Sequence, residues 1–115
     1  MSSPREQYLN RLACRLHRTD YDIARGASIE WLMVHVGRLS TETSMLHDRF
    51  QDHWMADHIL ARIADILESV ETLVLEKIES MRWNADASTE ITYLSEICDA
   101  KAALHPNPNP NPNGE

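Results

Sequence analysis

Taken every seventh residue from Leu32, the chain returns Leu32, Leu39, Leu46, His53, Leu60, Leu67, Val74 and Met81. A companion series, Ile29, Val36, Thr43 and Phe50, supplies the alternating three- and four-residue steps in the first half. In the second half the companion moves to Ile63 and Val70, while Ile59, Ile66 and Leu73 widen the apolar face. Apolar residues at this period line one side of an α-helix, and a sustained heptad asks for a helical partner. The run holds no proline and one glycine, Gly37. It predicts an all-α protein built on one long heptad-patterned helix over about residues 28–82, with 50–57 as the place where it would break.

A reversal at 50–57 would have to accommodate Phe50, Trp54 and Met55 without Gly, Pro or Asn, so turn chemistry favours the continuous helix. Some 55 residues at about 1.5 Å each make a rod of roughly 80 Å. Two short flanking helices cannot cover a seam of that length. The expected assembly is therefore a helical-bundle oligomer, a homodimer or larger. Its seam would be Ile29, Leu32, Val36, Leu39, Leu46, Phe50, His53, Leu60, Ile63, Leu67, Val70, Val74 and Met81.

Shorter helices flank the long one. Ser2 or Ser3 can cap a first helix with Pro4 in its first turn, and Tyr8, Leu9, Leu12 and Leu16 form its stripe. Thr19 to Gly26 breaks that pattern and reads as a connection; Ser28 then caps the second helix. Asn84 to Ala87 reads as a turn, followed by a helix capped by Ser88 with Ile91, Leu94, Ile97, Cys98 and Leu104 on one side. His105 and Pro106 end it. The domain is thus residues 1–105. The Asn-Pro tail, 106–115, is low in complexity and is expected to be disordered.

Of the residues, 43% are hydrophobic and only three are Gly, a balance that suits helices better than a turn-rich β fold. The formal charge is -7. Residues 1–25 carry five Arg against three acids, and the remainder six basic against fifteen acidic residues. Such a chain is not drawn as a whole to phosphate backbones or anionic membranes, so neither nucleic acid nor a membrane is an expected partner. Arg5, Arg11, Arg15 and Arg18 read as a solvated face beside the acidic long helix, with a phosphate-binding face as the sharper reading. Cys14 and Cys98 have no ligand spacing; they could pair if their helices were adjacent, but are expected as buried free thiols in a reducing cytoplasm.

The densest polar cluster is His47, Asp48, Asp52, His53, Asp57 and His58, residue types competent to bind a transition metal. It lacks the spacings of helical-bundle metal sites, and a polar layer at His53 answering to Asp57 explains it as well. Asp57, Glu68, Glu71 and Glu79 line up as an acidic stripe that could engage a basic protein surface. His35, in His-Val-Gly-Arg-Leu, resembles the phosphoacceptor segment of histidine phosphotransfer domains, which are acidic four-helix bundles. Arg38 holds the basic position, while Gly37 and Leu39 stand in the opposite order to that family's. The resemblance implies an exposed His35; the plainer reading of the same residue is a partly buried helix histidine.

No catalytic arrangement and no cofactor motif stands out. The expected function is non-enzymatic: a small acidic interaction protein that binds, blocks or scaffolds a larger protein and self-associates through its long helix. The alternatives are a metal- or pH-responsive bundle centred on His53 and Asp57, and a phosphotransfer module using His35.

Overall fold

A computed structural model describes residues 3–105, and the Asn-Pro tail expected to be disordered lies outside them. Four helices follow one another: α1 (Pro4–Ala24), α2 (Ile29–Arg49), α3 (Trp54–Ser80) and α4 (Ser88–Leu104). There is no strand among the described residues.

The all-α class holds, but the long helix does not. The chain reverses at Phe50–His53, where the Phe50 N–H still bonds the Leu46 carbonyl and the His53 N–H closes a turn onto the Phe50 carbonyl at 2.9 Å. Gln51 and Asp52 occupy the exposed middle of that turn, and Asp is a turn-former in its own right. Burial of Phe50 fixes the reversal. Its ring stacks on Tyr8 of α1 with centroids 5.3 Å apart, and the Arg5 guanidinium lies 5.0 Å from its centroid.

With the reversal, the heptad positions face the chain's own core instead of a partner. Leu32, Val36, Leu39, Leu46 and Phe50 of the first half meet Ile63, Leu67, Val70 and Val74 of the second, all buried. Ile29, His53, Leu60 and Met81 are half-buried at its margins. α4 closes the α2–α3 pair on one side and α1 on the other, and α1 does not touch α4.

Local signals explain the boundaries of α1, whereas α4 begins at Ser88 itself with Ala87 as its N-cap and no side-chain cap, so Ser88 is not the cap expected of it. Ser3 and Glu6 cap α1 reciprocally, with Ser3 Oγ accepting from the Glu6 N–H at 3.2 Å. α1 then runs through the stretch expected as a connection, because Thr19 and Asp22 turn inward on the same face as Leu12 and Leu16. It ends only where Gly26 takes φ +83°, a conformation that favours glycine. In α4 the buried face is Glu90, Ile97, Ala100 and Leu104, which leaves Ile91 and Cys98 outside the expected stripe.

His53 is no seam layer. It is the N-cap of α3, and its Nδ1 accepts from the Met55 N–H at 3.2 Å. His53→Leu should therefore destabilise by about 1 kcal/mol through loss of the cap. A thermal melt should fall by roughly 4–8 °C for a domain of this size. An equal or higher melting temperature would return His53 to an apolar contact.

Candidate functional site

Contacts between helix ends fix the direction of each helix. Arg5 of α1 donates to the Arg49 carbonyl at 2.7 Å, joining the start of α1 to the end of α2. Trp31 Nε1 donates to Asp22 Oδ2 at 3.0 Å, joining the end of α1 to the start of α2. Lys77 pairs with Glu90 at 3.4 Å across the α3–α4 connection. His47 Nε2 lies 3.0 Å from the Leu104 carbonyl, bringing the ends of α2 and α4 together. The helices thus run up-down-up-down. The α1–α2 and α3–α4 connections share one end of the bundle, called the distal end below.

The exposed large apolar side chains follow that direction. Among the described residues, Tyr21, Trp31, Val34, Leu75, Trp83 and Ile91 belong to the distal end or the two turns beneath it, and Trp54 alone lies at the other. Trp83 is 97% exposed. Scattered exposed apolar residues need no account, but two Trp, a Tyr and three aliphatics toward the same end give that end the composition of an interface centre.

Polar contacts hold the distal end in shape. Asp22 is buried and takes donors from Trp31 Nε1 and from Arg25 Nε, the latter at 3.0 Å. The Trp31 hydrogen bond first, and the Arg25 contacts second, keep its carboxyl below the usual carboxylate range. The Trp31 ring is fixed further by an edge contact to His35 at 5.1 Å. On the other connection Asp86 accepts from the Ser88 N–H at 2.9 Å and from its hydroxyl, which lowers the Asp86 carboxyl likewise.

The acidic stripe begins near the opposite end and climbs α3 toward this one. Asp57, Glu68 and Glu79 are exposed, with Leu75 set among them by the helical spacing. Glu71 is half-buried and accepts from Lys101 Nζ at 2.8 Å, which raises the Lys101 ammonium. That acid ties α3 to α4, while the other three carboxylates of the stripe make no hydrogen bond or close ion pair among the described residues.

The polar cluster is dispersed. His53 caps α3 and His47 faces the Leu104 carbonyl. His58 meets the Trp54 ring at 5.9 Å, Asp48 lies 3.8 Å from Arg49, and Asp52 and Asp57 are exposed. Among the described residues no three His, Cys, Asp or Glu side chains gather as a metal would need. His35 is not the exposed residue that the phosphotransfer resemblance implies: its Nε2 is buried, 3.6 Å from Asp22 Oδ2. Cys14 and Cys98, expected buried, are exposed on helices that do not meet.

No helix among the described residues is long and apolar enough to cross a membrane. Compared with family models, with curated proteins and with solved structures, the chain matches none.

Proposed function

We propose that this chain is a non-enzymatic interaction protein that docks a larger protein through its distal end. The observation that carries this reading is that, among the described residues, six of the seven exposed large apolar side chains lie toward that end, with Trp83 almost wholly in solvent. Aromatic side chains of this kind supply most of the energy at protein interfaces, and those already held in place cost least to bury. Trp31 is held so, through Asp22 and His35.

Glu68, Leu75 and Glu79 extend the apolar end down the acidic side of α3. The partner surface that fits is an apolar recess with a basic rim. Charge of that kind speeds and orients docking more than it tightens it.

The test compares retention of a partner from extract of the native host by the parent, by Trp83→Ala/Ile91→Ser and by Trp54→Ala. Parent and Trp54→Ala should retain the same basic protein, and the distal double variant should lose it. A parent that retains nothing, or equal retention by all three, rejects the reading.

A second copy of the chain is the other occupant of the same end, because the heptad residues that suggested self-association already face the core. Light scattering at twice 13.2 kDa for the parent, and at 13.2 kDa for the distal variant, would assign the end to a homodimer instead.

A further inference from the structure

α1 and α2 touch lightly, and a cavity of about 210 Å³ opens between them. Its floor is apolar, formed by the buried Leu12, Leu16 and Leu39. Its rim carries Arg15 and Arg18 from α1 and Arg38 from α2.

Both carboxylates in the lining are already occupied. Glu42 accepts from the Tyr8 hydroxyl and from Arg15 at 2.6 Å, and Asp22 from Trp31 and Arg25. Arg18 and Arg38 have no ion pair or hydrogen bond among the described residues. Glu42 is neutralised by Arg15 of the lining and Asp22 by Arg25 from outside it, which leaves the charges of Arg18 and Arg38 uncompensated at this cavity, in a chain whose net charge is -7. The buried Nε2 of His35, which lines the same cavity, has no hydrogen-bond partner among the described residues.

We infer that this groove binds a small organic phosphate, its phosphoryl group between Arg18, Arg38 and His35 and its apolar part on Leu12, Leu16 and Leu39. A carboxylate presents two oxygens in one plane and suits a single guanidinium fork. Arg18 and Arg38 come from opposite walls, and a phosphate monoester can serve both while keeping an oxygen for the imidazole N–H. Its charge of about -1.5 to -2 near neutral pH also matches the local excess. The volume lies below the roughly 300–1,000 Å³ of drug-sized pockets, so the organic part is a ring or a short chain.

Calorimetric titration with phenyl phosphate at constant ionic strength tests this, with inorganic phosphate and benzoate as comparators. One saturable site per chain is expected, with phenyl phosphate about tenfold or more tighter than either comparator, since each lacks half of the recognised chemistry. Arg18→Ala and Arg38→Ala should each weaken it by about tenfold or more, the scale of one charge-assisted hydrogen bond. Both side chains are unpartnered at the surface, so circular dichroism should stay that of the parent. Arg49→Ala, at the other end of α2, should leave binding intact. Absence of saturable binding, benzoate as tight as phenyl phosphate, or indifference to Arg18 and Arg38 would each overturn the assignment.

Discussion

Leu67→Ala should lower the unfolding free energy by about 2–5 kcal/mol, the range for a leucine cut back inside a closed core. Leu67 is fully buried on α3, one of the two helices that touch all the others. Three neighbouring helices cannot all close on the space left behind, which places the cost toward the upper half of that range. A domain of this size holds about 5–15 kcal/mol in total, so the variant should sit near the edge of folding. Leu75 supplies the comparison from the same helix. Two turns further on it is 45% exposed, and Leu75→Ala should change stability by no more than about 0.5 kcal/mol. Urea unfolding of the three proteins measures both. A Leu67→Ala loss under about 1 kcal/mol would mean that α3 is not enclosed by α1, α2 and α4.

That contrast between Leu67 and Leu75 also marks what the sequence reveals. The heptad positions of each half were legible, because a helix in a core must repeat its apolar residues on one side. The reversal between the halves was not, since it depends on Phe50 meeting Tyr8 and Arg5, more than 40 residues away. One local trace exists: the companion series shifts phase between Phe50 and Ile63, as it must where two helices present separate faces. His53 fits the seven-residue count and still belongs to a cap, because a count carried across a turn has no physical meaning.

The candidate surfaces were less legible than the core. Tyr21, Trp31, Val34, Leu75, Trp83 and Ile91 share an end only once the helices alternate in direction, and no window of sequence contains that. Arg18 and Arg38 come together for the same reason, from antiparallel helices. The acidic stripe lies within one helix and was legible, apart from the pairing of Glu71 with Lys101.

Glu42 is the residue that sequence reasoning passed over, a buried acid inside the polar run Ser-Thr-Glu-Thr-Ser. It joins α1 to α2 by accepting from the Tyr8 hydroxyl and from Arg15. Glu42→Ala should cost about 2 kcal/mol, the middle of the range for hydrogen bonds to a charged group. Most of that belongs to Tyr8, because Arg15 is half exposed and water can replace its partner. Tyr8→Phe should cost less, and adding it to Glu42→Ala should cost little more, a non-additivity of about 1 kcal/mol.

Alkaline pH tests the same contact without removing the acid. Burial first, then the bond to Glu42, pushes the Tyr8 hydroxyl up to about 12, against about 10 in an unfolded chain. Between those values the unfolded state has released its proton and the folded state has not. This contribution is therefore complete below pH 10 and is lost as pH rises toward 12. Tyr8→Phe, with no proton to release, should lose less stability across that window than the parent. Parallel pH dependences in the two proteins, together with additive costs at pH 7, would separate Tyr8 from Glu42 and leave α1 held by its apolar face alone.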